Sequence, residues 1–196
     1  MNTKPVETEI RKTEILNCAL AVFLKYGFRK TSMDEVARAA SISRQGLYLH
    51  FAAKEDLFKE VVENTLQNSL EEAKRALNDT ALTLEEKLAA AFDAWMGRFV
   101  GMIASGASDL GETSKTLVGS MVKDYEELFL KSVHKTVQES DLKRIYSAFG
   151  LKTKDLVDTL NRISIGLKHS SSSRSEFAEG IKTAARVLCV PLRGKR

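Results

Sequence analysis

Between Thr31 and Leu57 the sequence reads TSMDEVARAASISRQGLYLHFAAKEDL. This stretch gathers side chains that suit nucleic acid. Arg and Gln carry forked hydrogen-bond groups that match base edges in a major groove, Arg for guanine and Gln for adenine. Arg44 and Gln45 stand side by side. Gly46 follows, omitting a side chain where a backbone needs close approach. Tyr48 carries a hydroxyl suited to phosphate. Lys54 stands where a helix start and its dipole also favour phosphate. Taken alone, Arg44, Gln45 and Lys54 describe a solvated helix face better than a reading surface, and Tyr48 also fits half-buried packing. His50 fits a cap or a cover over apolar side chains. What separates these readings is whether the local elements aim the residues outward.

Those elements are short helices. Met33, Val36, Ala37 and Ala40 recur at helical spacing, with Thr31 or Ser32 as N-cap and Asp34 and Glu35 in the first turn. Ser41-Ile42-Ser43 leaves room only for a tight turn. A second short helix is expected from Arg44 to about His50, with Ser43 as its N-cap. Two short amphipathic helices joined by three or four residues make the helix-turn-helix pattern. One helix lies in the major groove and the other braces it across the backbone. Val36, Ala37 and Ala40 turn inward, as do Leu47 and Phe51. That leaves Arg44, Gln45, Gly46, Tyr48 and Leu49 outward or partly so.

Helical periodicity continues along the chain. Leu16, Ala19, Leu20 and Phe23 place a helix from about Glu9 to Tyr26, closed by Gly27 as a left-handed cap. Lys54 begins a helix carrying Phe58, Val62, Leu66 and Leu70. After the Asn78-Asp79-Thr80 break, Leu84, Leu88, Phe92, Trp95, Phe99 and Met102 line a long helix. Leu117, Met121, Tyr125 and Leu128 line another, reaching about Ser140. An irregular stretch ends at Gly150. Leu156, Leu160, Ile163 and Leu167 mark a helix stopped by His169 to Ser173. Phe177, Ile181, Ala184 and Leu188 mark the last one, ending before Pro191. The only prolines are Pro5 and Pro191, which removes the commonest helix breaker from everything between them. The expected fold class is all-α, with about nine helices.

A chain of 196 residues, 43% apolar, makes one or two domains with a real core. The net charge of +4 is small. All of it lies before Glu55, where nine basic residues face five acidic ones, as in a basic module joined to a neutral body. Cys18 and Cys189 form no C-x-x-C spacing, and His134 and His169 lack partners at ligand spacing, so neither metal nor cofactor is expected. No nucleophile or acid–base pair is visible, and an enzyme is not expected. The start lacks the apolar stretch of a secretion signal, and no run approaches a membrane span. The expectation is a cytoplasmic chain with no membrane partner.

The pattern Thr31, Met33-Asp34-Glu35-Val36-Ala37, Ala40, Ile42-Ser43, Gly46-Leu47-Tyr48, His50-Phe51 and Lys54-Glu55-Asp56-Leu57 resembles the N-terminal DNA-binding module of the TetR family of bacterial regulators. The resemblance runs from about Glu9 to Leu66, with Ala19, Phe23 and Gly27-Phe28 fitting the family's first helix. Ser41 departs from it, since the family usually has Gly in that turn. A left-handed residue there costs roughly 1 kcal/mol without Gly. The resemblance implies a helix-turn-helix DNA-binding domain over 1–60 and a ligand-binding and dimerisation domain over 61–196. It also implies a ligand-responsive transcriptional regulator, most often a repressor. Such a protein binds a palindromic double-stranded operator as a homodimer and is released by a small effector, here apolar or aromatic. The candidate DNA-binding residues are Thr31, Ser32, Ser43, Arg44, Gln45, Gly46, Tyr48, His50 and Lys54.

For the effector, the candidates are Phe92, Trp95, Met96, Phe99, Met102, Tyr125 and Phe129. Arg98 is a possible polar contact, and the small residues Gly97, Gly101 and Ser105 are spaced by four beside them. The same residues equally form plain core with close helix packing. For the dimer, Leu156, Leu160, Ile163 and Leu167 would face Phe177, Ile181, Ala184 and Leu188, two copies building a four-helix bundle. These stripes equally form core within one subunit. The alternative function is a helical ligand-binding or adaptor protein without DNA binding.

Overall fold

A computed structural model describes the backbone of residues 4–101 and 108–193 and the side chains of residues 11–101 and 108–192. The described residues form nine α-helices and no strand. They are α1 (Lys4–Tyr26), α2 (Met33–Ala39), α3 (Arg44–Tyr48), α4 (Lys54–Asn78), α5 (Leu84–Met96), α6 (Asp109–Gln138), α7 (Asp141–Ser147), α8 (Thr153–Ser170) and α9 (Arg174–Arg193). The all-α expectation holds.

Local chemistry explains most boundaries. Gly27 closes α1 with φ +81°, its N–H donating to the Phe23 carbonyl at 2.8 Å. Ser32 opens α2 with a capping box, in which its hydroxyl accepts from the Glu35 N–H and the Glu35 carboxylate accepts from its own N–H. Thr83 and Glu86 open α5 in the same way. Both carboxyls are held below the usual glutamate range, Glu35 mainly by the backbone hydrogen bond of Ser32 and Glu86 mainly by the hydroxyl of Thr83.

Five expectations need correction. Helix α5 stops at Met96 and passes into a 3-10 turn over Gly97–Phe99, so no single helix carries the line from Leu84 to Met102. Gly101 has φ +79° and does not extend a small-residue stripe from Gly97. Helix α6 starts at Asp109, and the helix read as one continuous line through Leu117, Met121, Tyr125 and Leu128 is kinked at Val118 (φ −139°, ψ 18°). The irregular stretch before Gly150 contains α7, capped by Ser140. Finally, α9 runs through Pro191 to Arg193, because a proline near a helix end removes only one donor with little helix left to break.

The chain divides into two compact units, Met1–Leu66 with Met102–Val122, and Gln67–Gly101 with Lys123–Arg196. In the first, Ile15, Ala19, Phe23, Val36, Leu47, Phe51, Leu57 and Phe58 are buried around one core, which the start of α6 joins through Leu110. In the second, α5 and α8 pack on α9. Its centre is aromatic. Trp95 stacks on Phe129 (5.0 Å between centroids, 11° between planes), and Phe92 meets Phe129 edge-on at 5.0 Å.

This burial bears on two expectations. Phe92, Trp95 and Phe129 are buried against one another. Met96, Phe99 and Tyr125 are half-buried. Met102 and Ser105 lie outside the described residues. Tyr125 donates to Gln67 Oε1 at 3.1 Å, and Arg98 pairs with Glu72 at 2.8 Å. Gly97 leaves room for the Asp93–Arg174 ion pair, since a Cβ there would collide with the Asp93 carboxylate. Two surface grooves of about 530 and 550 Å³ in this unit are lined by other residues, among them Lys74, Lys87, Ser132 and Lys135.

The intended dimer residues divide likewise. Leu156, Leu160, Phe177 and Ile181 are buried within the chain. Leu167 sits against Gly180, where a Cβ would strike its Cδ2. Ala184 and Leu188 are half-buried, and of the eight only Ile163 is exposed. On the outer faces stand Ile163 and Gly166 of α8 and Val187 and Val190 of α9, the last two 63% and 54% exposed.

Candidate nucleic-acid interface

Helix α3 is short because Ser43 starts it and the core holds its far side. The Ser43 hydroxyl accepts from the Gly46 N–H at 2.9 Å. A Cβ on Gly46 would stand 3.1 Å from that same oxygen, so Gly46 serves the cap. Leu47 and Phe51 are fully buried. The opposite face, with Arg44, Gln45, Tyr48, Leu49 and His50, is exposed. Helix α2 braces it by burying Met33, Val36 and Ala37.

The turn between them contains the only positive φ among the described non-glycine residues, Ser41 at 53°. Its left-handed conformation is the one glycine adopts without strain. Arg11 reaches from α1 to the Ala40 carbonyl at 3.4 Å and helps hold the end of α2.

Arg44 donates to Asp34 Oδ2 at 3.0 Å and lies 5.6 Å from the centre of the Tyr48 ring. Its guanidinium is therefore held at the mouth of the helix pair, exposed on one side. Tyr48 itself is 41% exposed. His50 lies beside Phe51, centroids 6.1 Å apart.

Two candidate residues turn inward. Thr31 is buried, and its hydroxyl donates to the Gly27 carbonyl at 2.7 Å. Lys54 does not project toward solvent from the start of α4. Its ammonium donates to the carbonyls of Phe28 and Thr31, both at 2.9 Å, and lies 4.4 Å from the centre of the Phe28 ring. Both residues fasten the loop between α1 and α2. Asp109 fastens it from the other side, its two oxygens accepting from the N–H groups of Phe28 (3.2 Å) and Arg29 (2.7 Å). A Cβ on Gly27 would collide with that carboxylate. Sequence reasoning missed Asp109, which lies about eighty residues away and carries no periodic signal. It also read Asp34 only as a helix-start acid.

No group of three or more His, Cys, Asp or Glu suited to a metal ion occurs among the described residues. No described helix is long and apolar enough to cross a membrane.

Comparison with known proteins points the same way as the geometry. Residues 15–61 match the family model described as bacterial regulatory proteins of the tetR family. An uncharacterized HTH-type transcriptional regulator, YfiR of Bacillus subtilis, is 38% identical over 60 residues, 31% of this chain and 29% of YfiR. The HTH-type transcriptional regulator AcrR of Shigella flexneri is 39% identical over 62 residues, 32% of this chain and 29% of AcrR. The matches thus span under a third of these curated relatives. Solved structures extend the likeness in fold to nearly the whole chain. Salmonella enterica GusR has a TM-score of 0.64 at 21% identity, covering 93% of this chain and 95% of its own. A TetR-like transcriptional regulator from Rhodococcus sp. RHA1 has a TM-score of 0.57 at 25% identity, covering 94% of each chain.

Proposed function

The chain belongs to the TetR family of bacterial regulatory proteins, and from that premise we propose that it regulates transcription by inserting α3 into the major groove of DNA. The observation that carries this reading is the division of α3 into a fully buried side and an exposed side bearing Arg44, Gln45 and Tyr48. Arg44 and Gln45 read base edges; Ser32, Ser43, Tyr48 and His50 border the phosphates. Thr31 and Lys54 hold the loop behind them.

A homodimer supplies the second reading helix. Its interface is the outer face of α8 and α9, with Ile163, Gly166, Val187 and Val190 at its centre. Nothing stands within 4 Å of a Cβ placed on Gly166, so a partner helix finds open space there. Two reading helices must then lie about 34–36 Å apart to enter successive major grooves. A small apolar or aromatic effector, favouring a conformer with another spacing, releases the DNA and makes the protein a repressor. A coupling of about 1–3 kcal/mol is enough for a 5–150-fold change in affinity. The half-buried Met96, Phe99 and Tyr125 are the proposed effector rim.

Selection from a random pool of duplex DNA tests the reading. A palindromic sequence should emerge, and DNA upstream of the protein's own gene should shift in a gel. If no duplex is retained, the chain is a helical ligand-binding or adaptor protein. Trp95 is the only tryptophan, so its emission reports effectors that abolish the gel shift.

A further inference from the structure

We infer that Leu49 is a sequence-reading residue that takes the 5-methyl group of a thymine, an inference resting on the proposed DNA binding through α3. Leu49 is 83% exposed, more than any other large apolar side chain described. It takes no part in the core, although Leu47 and Phe51 on either side of it are fully buried. Its backbone is helical (φ −69°, ψ −23°), and its N–H donates to the Gln45 carbonyl at 3.1 Å. Leu49 therefore continues α3 one turn beyond Gln45, on the same side of the helix.

The other exposed residues of that stretch, Arg44, Gln45, Tyr48 and His50, all carry polar groups. A single apolar side chain among polar neighbours is a poor seat for another protein's apolar surface. It is a good match to the one apolar feature that base pairs present in the major groove, the thymine methyl. Four residues of helix rise about 6 Å, close to two base-pair steps of about 3.4 Å. The thymine should thus lie within about two base pairs of the base that Gln45 reads.

The experiment uses the full chain and a duplex that it selects from a random pool. That duplex is remade with deoxyuridine at each thymine in turn, which removes the methyl and keeps the pairing. One position per half-site should weaken binding by about four-fold, the value of burying one methyl-sized group. Leu49→Ala should lose this sensitivity while keeping the wild-type melting temperature and salt dependence. Indifference to uracil at every thymine overturns the inference, as does a Leu49→Ala variant with unchanged uracil sensitivity. Failure to select any duplex overturns the DNA-binding reading itself and this inference with it.

Discussion

Arg44, Gln45 and Lys54 are three polar residues of one motif to which the proposed function gives different work. Arg44→Ala and Gln45→Ala should relax sequence choice, each at a loss of roughly 1–3 kcal/mol toward the selected site. Lys54→Ala should act on the fold. Its ammonium holds two carbonyls, and hydrogen bonds to a charged group contribute about 1.5–3 kcal/mol. The expected outcome is a lower melting temperature with an unchanged slope of affinity against salt. A flatter slope would return Lys54 to the phosphates. Ser41 gives a second test. At φ 53° a β-branched side chain is strained, so Ser41→Val should lose about 1–3 kcal/mol, whereas Ser41→Gly should be neutral or stabilising. Thermal melts of the two variants decide. The outward residues of α3 were legible because a helix of known register has only one buried side. The inward turn of Lys54 was not, because it depends on carbonyls more than twenty residues upstream.

Helix starts were the most legible elements. Ser32 and Ser43 each combine an oxygen-bearing side chain with a following apolar repeat, and both are caps; Thr83, a third cap, went unread beside the Asn78-Asp79-Thr80 break. Thr83→Ala should lose about 1 kcal/mol from the start of α5, read by denaturant unfolding. Acid acts on the same devices. Glu35 and Glu86 have depressed folded-state pKa values, so their contribution is complete above the usual glutamate range and fades as pH falls through and below it. Glu86→Gln should accordingly flatten the acid limb of the stability profile. Helix ends were harder to read. The repeat from Leu84 to Phe99 survives the change from α5 to a 3-10 turn, because periodicity does not distinguish the last turn of one helix from a tighter one. Helix α7 escaped notice because seven residues hold too few apolar positions to show a period.

For the whole molecule, α8 and α9 each carry apolar residues on two sides, and a single sequence does not say which side meets its own chain. The structure assigns Leu156, Leu160, Phe177 and Ile181 to the interior. Val187→Glu should therefore yield a monomer in sedimentation at micromolar concentration, keep its helical signal and lose high-affinity operator binding. A dimer unchanged by this substitution would move the interface elsewhere. The Asp34–Arg44 pair has its own consequence under the proposed DNA binding. Phosphate oxygens and base edges of any duplex would compete with Asp34 for Arg44, while the carboxylate itself repels nearby phosphate. A base edge that takes both arms of the guanidinium would make the exchange most favourable. The pair would thus widen the contrast between the selected site and unrelated sequence and shorten each stay on the latter.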